Sequence, residues 1–153
     1  MIGFRFATAF GISPRLRLDL MPNDFVFQAL RVGNLIVYQK DVRRTFIHVT
    51  YMARAFFHAI ENYETMKNEI YNVGDESMNT TKEDVANLVK KYVKFYLHFA
   101  EIGTDPDMRD YEVSYQKMRS TGYQTQVSLD EGIQEIVSAL KLVKQENPYS
   151  NVM

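Results

Sequence analysis

Strand-like and helix-like segments alternate along this chain, and the alternation limits the folds that it can adopt. Stretches rich in β-branched and aromatic residues predict strands near residues 34–39, 45–49 and 69–73. Between and after them, apolar residues recur at helical spacing, as in residues 22–32 and 128–145. Such an order of elements is typical of α/β proteins, so we predict an α/β fold.

Three further segments complete the predicted order. Residues 3–9 form an apolar run before Gly11 and predict one buried strand, and residues 92–99 alternate between apolar and polar side chains like a half-buried strand. Residues 50–62 predict a helix capped by Thr50. We expect that helix to pack on the core through its helically spaced apolar residues, which are Met52, Ala53, Phe56, Phe57 and Ile60.

Two helix starts carry the spacing of a capping box, in which a hydroxyl and an acid three residues later cap the helix together. The first is Thr80-x-x-Glu83 and the second is Ser128-x-x-Glu131. The second opens the best-defined helix of the chain, whose apolar face includes Ile133, Ile136 and Leu140.

Composition narrows the class of protein further. With 153 residues, 46% of them hydrophobic and 24% charged, the chain suits one globular domain with a core. It has no cysteine, which excludes disulfides and thiolate metal sites and suits a cytoplasmic location. No apolar run reaches the roughly 18 residues of a membrane span, so we expect no membrane insertion.

Positive charge is concentrated in the first part of the chain. Residues 1–60 contain eight Lys and Arg against three Asp and Glu, and most of these cations are arginines. Because the planar guanidinium group suits phosphate and carboxylate, this excess predicts a small anionic ligand. A net charge of -1 and the lack of a recognisable binding module argue against nucleic acid.

Metal binding is not predicted. The three histidines lie on different elements without the i, i+4 spacing of a helical zinc site. His48, His58 and His98 are therefore predicted to be packed or surface residues.

Four sequence motifs follow one another along the chain in a distinctive order. They are Phe4-Arg-Phe-Ala-Thr-Ala-Phe-Gly11, then Arg44-Thr-Phe-Ile-His-Val49, then Glu69-Ile-Tyr-Asn-Val-Gly74, and finally Asp107-Met-Arg-Asp-Tyr-Glu-Val-Ser114 with Gly122-Tyr123 and Ser128-Leu-x-Glu-Gly-Ile133 behind it. This order resembles the C-terminal half of the extended short-chain dehydrogenase/reductases, in particular the NAD-dependent nucleotide-sugar epimerases and dehydratases. The likeness runs from about residue 3 to residue 142.

The resemblance implies a division of one incomplete α/β unit, residues 1–153. Residues 3–11 and 69–74 would be the last strands of a doubly wound NAD(P)-binding Rossmann-type domain. Residues 12–49 and 80–125 would form the substrate-binding region, and residues 128–145 the C-terminal helix.

The resemblance also implies a binding site for a nucleoside diphosphate sugar. Arg109 matches the position at which the family binds the diphosphate, and Arg44 matches the arginine of the second motif. Asn23 matches the asparagine that opens the first helix of the substrate domain. Val37 and Tyr38 match the strand that runs past the nucleotide base.

The parts of the family that perform the chemistry are missing from the sequence. NAD or NADP would bind the intact enzyme through a glycine-rich turn, but the seven glycines do not have that spacing; they are residues 3, 11, 33, 74, 103, 122 and 132. Tyr63-x-x-x-Lys67 has the spacing of the catalytic tyrosine and lysine but follows the predicted helix at 50–62, whereas the family's pair precedes the strand at 3–9. We therefore predict no catalytic residue here and no cofactor bound to this chain alone.

Two functions stay open. The chain is either the substrate-binding part of an epimerase or dehydratase whose N-terminal Rossmann half is missing, or a non-catalytic module for nucleotide binding or protein interaction. A doubly wound sheet that lacks its N-terminal strands should expose apolar strand edges and faces. Exposed apolar surfaces favour self-association, so we also expect a homo-oligomer.

Overall fold

The computed structural model describes residues 1–101, 103 and 109–143. In these residues the strands are β1 (Gly3–Phe6), β2 (Thr8–Phe10), β3 (Asn34–Tyr38), β4 (Arg43–His48), β5 (Ile70–Val73), β6 (Asn79–Thr81) and β7 (Tyr96–Ala100). The helices are α1 (Met21–Arg31), α2 (Val49–Glu61), α3 (Tyr63–Met66), α4 (Lys82–Tyr92), α5 (Gln116–Arg119) and α6 (Leu129–Leu142), with a 3₁₀ turn at Glu76–Met78. The mixed α/β class predicted from the sequence is confirmed.

Three small sheets organise the chain. β1 pairs in parallel with β5, and β3 pairs in parallel with β7. In the third sheet β4 is central, parallel to β2 and antiparallel to β6. Parallel pairs dominate because helices and loops connect strands that run in the same direction.

Two hydrophobic clusters lie on opposite sides of β4. Phe46 packs with Phe10 and with residues of α1, α4 and α6 in one cluster. Its neighbour Ile47 packs with residues of α2, β5 and α5 in the other. Successive side chains of a strand point to opposite faces, so one strand contributes to both cores.

The helix starts depend on different caps. Pro22 lies in the first turn of α1, as predicted. The predicted capping box of α6 is confirmed, with Ser128 and Glu131 bonding each other's backbone N–H groups. At α4 the predicted box is wrong by one residue, because Thr81 and Asp84 form it and Glu83 pairs with Lys40 instead.

Two predicted strand boundaries differ from the structure. The single strand expected at 3–9 is interrupted at Ala7, where the chain changes partner from β5 to β4. The strand expected at 92–99 begins only at Tyr96, because α4 continues to Tyr92. Apolar and polar side chains alternate where α4 ends, and in the sequence this pattern resembles a strand. Only the backbone hydrogen bonds show where the helix stops and the strand begins.

The predicted packing of α2 is confirmed for Met52, which packs against a hydrophobic cluster, but is wrong for most of the other residues. The buried face of the helix consists of Tyr51, Ala55 and Ala59. The apolar side chains expected to be buried point outward, with Phe57 67% and Ile60 73% exposed. Small alanines allow the helix to lie close to its sheet, which leaves the larger side chains on the opposite face. Thr50 is also not the cap, since the N-cap residue is His48.

Some predicted features lie outside the described residues. Asp107 and Met108 of the fourth motif are among them, and so is the part of the predicted C-terminal helix beyond residue 143. Among the residues that are described, no helix combines the length and the apolar character that crossing a membrane requires.

Gly132 provides a test of the packing between α6 and β2. A Cβ atom at this position would lie 2.4 Å from Cε2 of the buried Phe10 ring. Alanine favours a helix over glycine by about 1 kcal/mol, but overpacking of a core costs about 1–3 kcal/mol. We therefore expect Gly132→Ala to lower the free energy of unfolding by up to about 2 kcal/mol in urea denaturation.

Ser138→Ala is the matched control, because Ser138 lies on the exposed face of the same helix. This change should leave stability the same or raise it slightly through helix propensity. If Gly132→Ala stabilises the protein as much as the control does, Phe10 does not pack closely on Gly132.

Candidate functional site

A cavity of about 340 Å³ lies between the start of α1, strand β4 and the start of α4. Arg44, Lys82 and Arg109 line it and bring three cationic side chains to one place. Two of them are deeply buried, with Arg44 4% and Lys82 3% exposed, whereas Arg109 is exposed. Buried cations in a concave site are a common basis for anion binding.

The strand register explains how the first two cations meet. Arg44 lies opposite Thr80 in the antiparallel pair of β4 and β6, and Arg43 lies opposite Thr81. Lys82 follows directly as the first residue of α4, and its backbone N–H donates to the carbonyl of Val42. Arg44 and Lys82 are therefore adjacent in space although they are far apart in sequence.

The start of α1 forms another side of the cavity. Its N-cap residue is Leu20, whose side chain cannot accept a hydrogen bond. Leu20 and Met21 both line the cavity. The first N–H groups of a helix have no acceptor within the helix and carry partial positive charge, so they favour an anion.

Two carboxylates also line the cavity. Asp19 forms an ion pair with Arg17 at 2.5 Å, and this hydrogen-bonded contact lowers the pKa of Asp19. Burial raises the pKa of Asp24, although Gln28 donates a hydrogen bond to it that acts in the opposite direction. Among the described residues that line the cavity, three carry positive charge and two carry carboxylates, one of which pairs with Arg17.

The structure does not bring all five predicted site residues into this cavity. Arg44 and Arg109 line it, while the lining drawn from the described residues does not include Asn23, Val37 or Tyr38. Val37 is 2% exposed and packs in a hydrophobic cluster. Ligand binding by the five residues stays a prediction.

Asn23 and Tyr38 have structural contacts that the sequence did not reveal. The Asn23 side chain accepts a hydrogen bond from the N–H of Gly11 at 3.1 Å and donates one to the carbonyl of Arg17 at 2.9 Å. It therefore fastens the loop between β2 and α1. The carbonyl of Tyr38 accepts a hydrogen bond from Nζ of Lys82 at 3.2 Å.

Sequence reasoning missed Lys82 and Asp24 as components of the site. A signal for Lys82 was available, because a lysine at the first position of a helix meets the positive end of the helix dipole. Asp24 gave no signal, since an acid in the first turn of a helix is common.

A second cavity of about 190 Å³ lies near Gly74 and Tyr115. Burial raises the pKa of Tyr115 to about 12, and its hydroxyl lies 2.5 Å from that of Thr45. Gly74 is needed there because a Cβ would lie 2.4 Å from the Tyr115 ring. The tyrosine stays neutral at physiological pH and acts as a packing residue.

The histidines and the Tyr63-x-x-x-Lys67 pair have local contacts. His48 packs edge-on against Phe10, and His58 bonds to Thr121. Within residues 1–101, 103 and 109–143, no group of three or more His, Cys, Asp or Glu side chains could hold a metal ion. Lys67 pairs with Glu64 at 2.5 Å on the short helix α3.

Comparison with known proteins relates the first part of the chain to a family. Residues 1–74 match the model of the NAD dependent epimerase/dehydratase family. These residues are similar to that family. The resemblance predicted from the sequence motifs is thus confirmed.

Solved structures of the same kind share the fold. The chain superposes on UDP-glucose 4-epimerase of Thermotoga maritima with a TM-score of 0.73, at 21% identity over 92% of this chain and 46% of that one. The TM-score with dTDP-glucose 4,6-dehydratase of Bacillus anthracis is 0.70, at 21% identity over 92% of this chain and 44% of that one. With UDP-glucuronic acid 4-epimerase of Bacillus cereus the TM-score is 0.74, at 20% identity over 91% of this chain and 44% of that one. The chain spans less than half the length of these structures.

The pKa of Asp24 gives a pH-dependent prediction. A carboxyl group whose pKa is raised in the folded protein stabilises it below the unfolded value, near 3.8, and loses that contribution as pH rises through the folded value. The charged form is therefore unfavourable at neutral pH, where the cost of burial exceeds the benefit of the helix dipole. We expect Asp24→Asn to be more stable than the wild type at pH 7.

This gain should shrink as pH falls toward 3.8, and urea denaturation across that range measures it. Asp41→Asn, at an exposed carboxylate, serves as control. An Asp24→Asn protein that is less stable at pH 7, or whose gain is the same at every pH, would contradict the assignment.

Proposed function

We propose that this chain is the C-terminal, substrate-binding part of an NAD-dependent nucleotide-sugar epimerase or dehydratase. The observation that carries this proposal is the cavity in which Arg44 and Arg109 meet at the start of α1. Its ligand is a nucleoside diphosphate sugar. The similarity of residues 1–74 to the epimerase/dehydratase family and the fold shared with sugar-nucleotide enzymes support the proposal.

The electrostatics of the cavity suit a diphosphate. A diphosphate group carries about two negative charges, and each charge-assisted hydrogen bond from an arginine contributes roughly 1.5–3 kcal/mol. Arg44 and Arg109 supply planar guanidinium groups, and the start of α1 supplies N–H groups. Asn23, Val37 and Tyr38 complete the proposed substrate-binding set by the family resemblance, Asn23 by holding the loop before α1.

The cofactor belongs to the other half of the intact enzyme. Glycines of a dinucleotide-binding turn allow the backbone to approach a pyrophosphate. In this chain, Gly11 and Gly74 instead allow the backbone to approach side chains of the protein itself. A Cβ at Gly11 would lie 2.6 Å from the His48 ring, and one at Gly74 would lie 2.4 Å from the Tyr115 ring. These residues do not fit NAD or NADP, so we expect this chain alone to bind no cofactor and to be inactive.

In the intact enzyme, the N-terminal half would supply a nicotinamide that accepts a hydride from a sugar carbon and returns it, together with the tyrosine and lysine that would assist this transfer. This chain supplies the binding of the sugar nucleotide. Within the proposed division, 3–11 and 69–74 are strands of the cofactor domain, 12–49 and 80–125 are the substrate-binding region, and 128–145 is the C-terminal helix. The absence of cysteine favours a cytoplasmic location.

Binding measurements test the proposed site. We expect isothermal titration with UDP-, GDP- or dTDP-sugars to give heat with at least one of them. Arg44→Gln and Arg109→Gln should each weaken that binding by roughly tenfold or more, because each removes a charge-assisted hydrogen bond. Lys141→Gln, at an exposed cation of α6, is the control and should bind like the wild type.

No heat with any of these sugar nucleotides would contradict the nucleotide-sugar proposal. It would favour the alternative function, a protein-interaction module. Heat that is unchanged in both arginine variants would place the ligand elsewhere and leave a non-catalytic nucleotide-binding module as the better account.

The exposed side of α2 supports a docking role in addition to ligand binding. Phe56 packs against the rings of Phe4 and Phe6 on β1, with centroids 5.5 and 5.6 Å away, yet stays 50% exposed. Phe57 and Ile60 extend this surface, which we call the α2 face. A contiguous exposed apolar patch marks an interaction surface. We propose that the N-terminal Rossmann half covers it in the intact enzyme and that a second copy covers it when the chain is alone.

Light scattering tests the docking role. The isolated chain should be larger than a monomer, and Phe57→Glu combined with Ile60→Glu should shift it toward the monomer because charge opposes apolar association. The double variant should remain folded by circular dichroism, since both side chains are largely exposed. Glu61→Gln, on the same helix, should associate like the wild type. A wild-type chain that is monomeric at all concentrations would contradict the oligomer.

A further inference from the structure

We propose that the carboxylate of Asp24 accepts hydrogen bonds from hydroxyl groups of the ligand, in its ribose or in its hexose ring. The inference rests on the proposed function, because Asp24 lines the same cavity as Arg44 and Arg109. It adds a specificity-determining residue to the site and names the kind of ligand group that this residue recognises.

One oxygen of the Asp24 carboxylate is available to a ligand. Gln28, one turn further along α1, donates a hydrogen bond to Oδ1 at 3.3 Å. No group of the described part of the chain donates to Oδ2, and Oδ2 is not among the unpartnered atoms that are sealed from solvent. A carboxylate can accept about four hydrogen bonds, so Asp24 has acceptor capacity left on the side of the cavity.

Asp19, the other acid of the cavity, is already occupied. Its two oxygens accept hydrogen bonds from the guanidinium group of Arg17, at 2.6 and 2.5 Å. This bidentate pair holds Asp19 within its own loop. Asp24 is therefore the better acceptor for a ligand.

The chemistry of a carboxylate determines which part of the ligand it can meet. A carboxylate only accepts hydrogen bonds and repels the like charge of a phosphate, whereas a hydroxyl group can donate to it. The rings of Phe25 and Phe46 line the same cavity and offer apolar surface to the carbon atoms of a sugar ring. We therefore expect a sugar ring, rather than a phosphate group, beside Asp24.

The environment of Asp24 in the free protein agrees with this role. Burial raises the pKa of Asp24, because the charged carboxylate loses contact with water, and the hydrogen bond from Gln28 offsets this effect only in part. Hydroxyl groups that donate to the carboxylate would favour its charged form. Ligand binding would thus replace part of the hydration that Asp24 loses on folding.

Titration of the full chain with three related ligands tests the proposal. They are the sugar nucleotide that the wild type binds most tightly, its nucleoside diphosphate, and the 2′,3′-dideoxy form of that diphosphate. A contact to the hexose predicts a preference for the first ligand over the second, and a contact to the ribose predicts a preference for the second over the third. Asp24→Asn should reduce one of these preferences by roughly fivefold or more, because a neutral amide oxygen accepts a weaker hydrogen bond than a carboxylate.

The dideoxy ligand separates a ligand contact from a structural role. It has no ribose or hexose hydroxyl group, so Asp24→Asn should bind it as tightly as the wild type or more tightly. Equal weakening of all three ligands would overturn the proposal in favour of a structural aspartate. Asp41→Asn, at an exposed carboxylate, is the control and should keep both preferences. If Asp24→Asn does not fold, Asp24→Ser replaces it and the same outcomes apply.

The two levels of inference fail in different ways. If the wild type binds sugar nucleotides and Asp24→Asn leaves both preferences unchanged, the Asp24 proposal is wrong and the proposed function stands. If the wild type binds no sugar nucleotide, both are wrong.

Discussion

Strand β4 is the element on which the rest of the structure depends. It pairs with β2 on one side and β6 on the other, and its side chains Phe46 and Ile47 enter the two hydrophobic clusters. The same strand carries Arg44 to the cavity. Because the strand is held on both edges and both faces, a long and flexible arginine can be buried in a defined place.

The cost of burying charge connects this scaffold with its proposed use. Arg44 and Lys82 lie almost completely out of water, and Asp24 opposes them from α1 with a pKa raised by burial. An arrangement of this kind contributes little to folding stability, since desolvation offsets the attraction between charges. We propose that its use is to bind the anionic part of a ligand.

The α2 face has a different origin. Ala55 and Ala59 pack inward and Phe57 and Ile60 point outward, so the helix has apolar side chains on both sides. A helix that is apolar all round is normally buried. This exposed apolar side is the basis of the docking role that we propose.

Elements whose pattern depends only on local spacing could be predicted from the sequence. The helix with Pro22, the strand of residues 34–38 and the capped helix after Ser128 are examples, and the family motifs named Arg44 and Arg109. Predictions failed where a distant partner decides the outcome. Ala7 interrupts a strand because its two halves pair with different strands, and the buried face of α2 depends on which side meets the sheet.

The candidate site was predictable only in part for the same reason. The order of the motifs indicated an anion-binding site. The sequence did not show that the register of β4 and β6 places Lys82 beside Arg44. It also did not show that the Asn23 side chain forms hydrogen bonds with the loop before α1. The sequence by itself determined the helices, most strands and the family, because spacing and capping act within a few residues. Only the tertiary structure decided which charges share a cavity and which apolar side chains face outward, because these depend on strand pairing between segments that are distant in sequence.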